Sequence, residues 1–200
     1  MDPYVYPGTS VLRNLREIRD ARQLDSFEAI ATSRRIIELH HEPIHGCFDA
    51  RQLQAIHHHI FQDVYEWSGK FRTVNTSKSS ASFAFHQHIA SSLDRMCEEL
   101  EREQHLTGID RASFATRGAY YLGELNAIHP FRDGNGRTQR EFIRVLGLRS
   151  QLMIDWSLVS RDEMIEASRR SIRVDNTGLE RILRKALDND PDRRRDFQPG

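Results

Sequence analysis

The sequence predicts an all-α protein, a helical bundle with one β-hairpin, and three observations carry that reading. Seven stretches of helical length follow one another between residues 21 and 187. In the two that flank Pro130, apolar residues recur at helical intervals. One stretch, residues 71–85, reads as strand and turn instead. The chain of 200 residues is long enough for one sizeable core, and it carries no internal repeat.

In order, the expected helices are Ala21–His40, Ala50–Tyr65, Gln87–Arg102, Ala112–Ile128, Asn135–Leu148, Arg161–Arg173 and Gly178–Leu187. Asp49 is placed to cap the second and Ser160 the sixth, since short polar side chains accept from the first free N–H groups of a helix. The fourth presents Phe114, Ala119, Leu122, Leu125 and Ile128 at helical spacing, and the fifth Phe142, Ile143, Leu146 and Leu148. Pro130 separates them, because it has no N–H and restricts the residue before it. Between Phe71 and Phe85, β-branched residues at the front and a Ser/Asn/Lys turn suggest the hairpin. Residues 1–187 are read as one domain. The tail Asp188–Gly200 has no apolar periodicity and is expected to be a disordered polar segment. Trp67 and Trp156 are expected in the core.

Composition bounds the function. Basic and acidic residues balance at 29 each, so no global field favours direct contact with nucleic acid or an anionic membrane. Cys47 and Cys97 are too few for a disulfide scaffold, which suits a reducing cytoplasm. Neither a signal peptide nor an apolar run of ~18 residues is present, so no membrane span is expected. Consecutive His57, His58 and His59 point in different directions on a helix and cannot share one ion. His57 is read as a packing or hydrogen-bonding residue near the hairpin.

The most specific stretch is His129-Pro-Phe-Arg-Asp-Gly-Asn-Gly-Arg-Thr-Gln-Arg140. Gly134 and Gly136 flank Asn135 at the expected start of the fifth helix, where the backbone can bend and a ligand can approach. A helix start exposes unpaired N–H groups and the positive end of the dipole, a natural phosphate site. Arg137 and Arg140 lie three apart on one helix face, and each can fork onto phosphate oxygens. Asp133 would repel phosphate unless a divalent cation lay between them, and magnesium is the usual choice. His129 alone in this stretch titrates near neutral pH, which makes it the candidate general base.

This stretch resembles the signature of Fic-domain proteins, H-x-F-x-[D/E]-G-N-G-R-x-x-R, with His129, Phe131, Asp133, Gly134, Asn135, Gly136, Arg137 and Arg140 in its places. Ile56-His57, Ile60–Gly69 and Arg72 resemble the family's helix and turn leading to its flap, and the likeness covers residues 4–187. The resemblance implies a Fic fold with a β-hairpin flap beside the active site. It also implies transfer of AMP from ATP to a target hydroxyl, releasing pyrophosphate. His129 would deprotonate the target, and Asp133 would hold Mg2+ between the α- and β-phosphates. Gly134, Asn135, Gly136 and Arg137 would form the anion hole, Arg140 would bind the γ-phosphate, and Phe131 would be a buried anchor. The flap would pair with the target in strand fashion, with Lys78 or Phe83 as clamp.

The resemblance also sets alternatives. Doc-type kinases carry Lys where this chain has Gly136, so Gly136 favours AMP transfer over phosphorylation. Phosphocholine transfer, removal of AMP and a non-catalytic nucleotide-binding module are the remaining readings. Many relatives hold an inhibitory Glu in the pattern [S/T]-x-x-x-E-[G/N]. The nearest match here, Ser171–Asn176, has Asp175 in its place. Residues 2–9 and 11–18 resemble the start of stand-alone Fic toxins. The expectation is therefore a toxin held off by a small antitoxin protein whose Glu meets Arg140. Such toxins act on the ATPase subunits of DNA gyrase and topoisomerase IV, the expected targets by analogy.

Overall fold

The structure, a computed structural model, describes residues 2–78 and 81–188. Of the expected tail Asp188–Gly200, residues 189–200 lie outside the described residues, as do the side chains at 78, 81 and 82. Seven α-helices build the described chain: α1 (Ala21–His41), α2 (Ala50–Phe61), α3 (Ile89–Arg102), α4 (Arg111–Ile128), α5 (Asn135–Arg149), α6 (Arg161–Arg173) and α7 (Thr177–Leu187). None is long and apolar enough to cross a membrane.

Helix α4 is the centre. It runs against α3, α5, α6 and α7, while α2 sits between α1 and α5. Having neighbours on several sides, α4 buries Phe114, Ala119, Tyr121, Leu122, Leu125 and Ile128 rather than one narrow stripe. Helix α5 buries Phe142, Ile143, Val145 and Leu146, but also Glu141 and Arg144. These two form an ion pair of 2.7 Å within α5, and Arg144 also donates to the Leu39 carbonyl of α1 (2.8 Å). A buried charge pair stands only when both partners are satisfied, which this one is.

Helix starts follow their polar caps. Asp49 accepts from Gln52 N, and Ser160 forms a reciprocal capping box with Glu163. Asp20 and Asp110 cap α1 and α4 in the same way. Helix α2 ends at Phe61, short of the expected Tyr65. The Val64 carbonyl turns to accept from Leu15 N (2.9 Å), which ties the N-terminal segment to the end of α2.

The expected hairpin over Phe71–Phe85 is reduced to two residues per strand. β1 (Ser77–Lys78) pairs antiparallel with β2 (Ala81–Ser82). Its arms lie along the end of α4 instead of along each other. Arg72 N donates to the Pro130 carbonyl (2.9 Å) and Ala84 N to that of Ala127 (3.0 Å). Trp67 and Trp156 are only partly buried, because each rests on the core edge. Trp67 stacks on Tyr65 (4.3 Å), and Trp156 Nε1 reaches the Arg140 carbonyl (3.1 Å).

Candidate active site

His129 ends α4. It adopts a left-handed backbone (φ 49°, ψ 62°) while its N–H still bonds the Leu125 carbonyl. Such a conformation is uncommon for a residue with a side chain and costs of order 1 kcal/mol or more. Pro130 follows and prevents the helix from continuing. The His129 ring lies against Phe83, with centroids 3.7 Å apart and planes within 9°. Phe83 is itself buried and spent on this stack, so its ring is placed to orient the imidazole rather than to grip a target. The side chain of Lys78, the other expected clamp, lies outside the described residues.

The loop 131–134 is held from three sides. Asn135 turns its side chain back onto Phe131, accepting from Phe131 N (2.9 Å) and donating to the Phe131 carbonyl (2.8 Å). Its amide group is thereby committed, and what it offers a ligand is its backbone N–H. Phe131 is buried and stacks on His57 at 3.8 Å, as an anchor should. His57 Nδ1 accepts from Gly69 N (2.8 Å), so its proton sits on Nε2 and is donated to the Asp133 carbonyl (3.1 Å). Burial pulls the His57 pKa down to about 3, and the nearby Arg137 charge adds to this. Asp2 pairs with Arg132 (2.8 Å) on the third side.

Gly134 opens α5 with φ +77°, and a Cβ there would lie 2.2 Å from the Phe61 ring. Beyond it, the N–H groups of Asn135, Gly136 and Arg137 have no acceptor among the described residues, and no side chain caps the helix. The Asp133 carboxylate is exposed at this helix start and accepts from Gly134 N (2.5 Å). One exposed carboxylate beside a helix start with free N–H groups fits magnesium, which takes one or two carboxylates and completes its shell with other oxygens.

The two arginines differ in a way that spacing did not reveal. Arg137 reaches α1, donating to Glu28 (2.5 Å) and Thr32 (3.0 Å), and its guanidinium lies over the Phe61 ring (4.6 Å). Tyr65 OH also bonds Glu28, and burial with the Glu28 charge raises its pKa. Arg137 therefore acts first as a tie between α1 and α5. The Arg140 guanidinium has no carboxylate partner among the described residues. Burial, with a further push from Arg137, lowers its pKa.

Arg140 faces two hollows. One is a cavity of about 170 Å³ that also holds His129, Phe83 and Gly136 and is closed by Ile165, Ser168 and Arg169 of α6. The other is a groove of about 420 Å³ between Ile36 and His40 of α1 and the Met153–Ser157 segment. The contribution of α6 had no motif in the sequence to announce it. The near-match at Ser171–Asn176 is locally occupied, since Asp175 pairs with Arg170 (2.9 Å) and accepts from Thr177 N (3.0 Å).

The Fic/DOC family profile matches residues 47–146. Over 186 residues the chain is 42% identical to the protein adenylyltransferase VbhT of Bartonella schoenbuchensis, covering 93% of this chain but 39% of that protein's length. It is 36% identical to the probable protein adenylyltransferase y4lH of Sinorhizobium fredii, covering 93% and 96% of the two chains. The crystal structure of the N-terminal Fic domain of a VirB-translocated Bep effector from Bartonella quintana, with bound ADP, superposes with a TM-score of 0.88. That domain shares 29% identity, over 92% of this chain and 93% of its own. An intact signature at the mouth of one cavity, on a helical framework common to these proteins, places the chain in the Fic/DOC family.

Proposed function

We propose that this chain transfers AMP from ATP to a hydroxyl side chain of a target protein. The observation that carries the reading is Arg140: a desolvated cation without a carboxylate partner among the described residues, in one cavity with His129 and Gly136. A cation so placed calls for an anion to complete it. Relatives named adenylyltransferases, and a similar Fic domain that holds ADP, support a nucleotide as that anion.

In the proposed step, His129 takes the proton of the target hydroxyl. The oxygen forms a bond to the α-phosphorus of ATP as the bond to the bridging α–β oxygen breaks, and pyrophosphate leaves with the electron pair. The free N–H groups of Asn135, Gly136 and Arg137 stabilise the phosphate charge, and Arg140 holds the γ-phosphate. Mg2+ held by Asp133 would neutralise charge between the α- and β-phosphates. The 71–85 segment acts as the flap that registers the target, with Lys78 as the remaining candidate clamp.

Further readings rest on this one. The groove behind Arg140 gives a partner's carboxylate a route to the same guanidinium, which supports inhibition by a small antitoxin protein. The target remains proposed by analogy as the gyrase or topoisomerase IV ATPase subunit, in the cytoplasm. ATP labelled at the α- or the γ-phosphate tests the reaction: α-label on protein in a bacterial lysate is the expected result. Label from the γ position alone would establish the kinase alternative instead, and His129→Ala must abolish either signal if His129 is the base.

A further inference from the structure

Arg72 is buried, with 2% of its surface exposed, and has no carboxylate partner among the described residues. Its acceptors among the described residues are all backbone carbonyls. Nε donates to His129 (2.8 Å), Nη1 to Val74 (2.7 Å), and Nη2 to both Ala84 (2.5 Å) and Ile128 (3.2 Å). Its own N–H adds the bond to Pro130. Burial lowers its pKa from the ordinary arginine value, so the site tolerates the charge because carbonyl dipoles surround it. Two of those carbonyls belong to the C-terminal end of α4, where the helix dipole favours a cation. The other two, at Val74 and Ala84, lie on opposite arms of the 71–85 segment.

We propose that Arg72 is a positioning residue that couples the 71–85 segment to His129, so that the base and the target-facing segment are set by one side chain. The inference rests on His129 being the base. The geometry is specific to a guanidinium, whose flat fork presents donors in several directions, whereas a lysine ammonium on a narrower stem cannot reach four carbonyls at once. A left-handed residue such as His129 needs its surroundings to hold it. The loop 131–134 and the start of α5 are held separately, by Asn135 and His57. Loss of Arg72 should therefore spare nucleotide binding while disturbing the base and the 71–85 segment together.

The wild-type chain gives the first test, by amide hydrogen exchange. Coupling predicts that the Arg72 and Ala84 amides open as one unit, with protection factors within about twofold of each other. A difference of about tenfold or more would overturn it. Arg72→Lys gives the second. The expected result is a fall of about tenfold or more in transfer of α-labelled AMP to lysate protein, with AMPPNP affinity by calorimetry within about twofold of wild type. Faster exchange should be confined to residues 72–86 and 127–130. Equal losses of nucleotide affinity and transfer, or faster exchange throughout, would reduce Arg72 to a general stabiliser. If Arg72→Lys does not fold, the wild-type exchange result decides. A wild type that labels nothing at all would count against the AMP reading and leave the exchange test standing.

Discussion

Single residues in the signature have separable jobs, and substitutions can tell them apart. Gly134 and Gly136 look equivalent in the sequence and are not. At 134 a Cβ would strike the Phe61 ring in a left-handed backbone, whereas at 136 the backbone is ordinary helix and a Cβ would meet only Arg140 Nη1 at 3.4 Å. Gly134→Ala should lose about 3 kcal/mol in urea denaturation. Gly136→Lys should change stability by less than about 1 kcal/mol yet abolish AMP transfer, because the new side chain enters the cavity from the side of Arg140. His57 makes a pH prediction. Its folded pKa of about 3 lies below the unfolded value of 6.5, so the unfolded chain binds more protons as pH falls below 6.5. Stability contributed at this position is intact above that pH and drains away between about 6.5 and 3. From pH 7 to pH 5 the loss should be about 2 kcal/mol, and His57→Gln should remove that part of the slope from a series of denaturation curves.

At the scale of elements, the sequence was legible wherever a local signal sufficed. Asp49 and Ser160 announced their helices because capping is decided within four residues, and Pro130 announced the end of α4 for the same reason. The 71–85 segment was misjudged in extent. Its arms bond to α4, and no local pattern reports a partner some fifty residues away. The tie between α1 and α5 was invisible for the same cause: Glu28 and Arg137 stand 109 positions apart. Spacing showed that Arg137 and Arg140 share a face, but only the fold shows that one is already engaged. Glu28→Gln would leave Arg137 without its counter-charge and should cost about 2–3 kcal/mol, read as a lower denaturation midpoint. If α1 merely rests on α5, the midpoint will not move.

For the whole molecule, the buried and half-buried arginines among the described residues differ in how their charge is met. Arg144 has Glu141, Arg137 has Glu28 and Arg132 has Asp2, while Arg140 is desolvated without such a partner among the described residues. A protein can hold a costly group where its ligand will later complete it. Arg140→Gln should therefore leave the nucleotide-free protein as stable as wild type, or about 1 kcal/mol more so, while removing most of the rise in melting temperature that AMPPNP gives the wild type. A large loss of stability without nucleotide would mean that Arg140 belongs to the framework. The cavity itself draws on α4, α5, α6 and the 71–85 segment, so no single stretch of sequence could have outlined it.

The parallel stack of Phe83 on His129 has a spectroscopic consequence. Protons of the imidazole ring lie over the face of a benzene ring 3.7 Å away, inside its shielding cone. Their resonances should stand upfield of those from histidines with no ring stacked on them, a shift shared with His57, which stacks on Phe131 and is told apart by its low pKa. His129, the proposed base, thus carries its own reporter. Its protonation, and any lifting of Phe83 as a target arrives, can be followed in the unmodified protein by the position of one pair of lines.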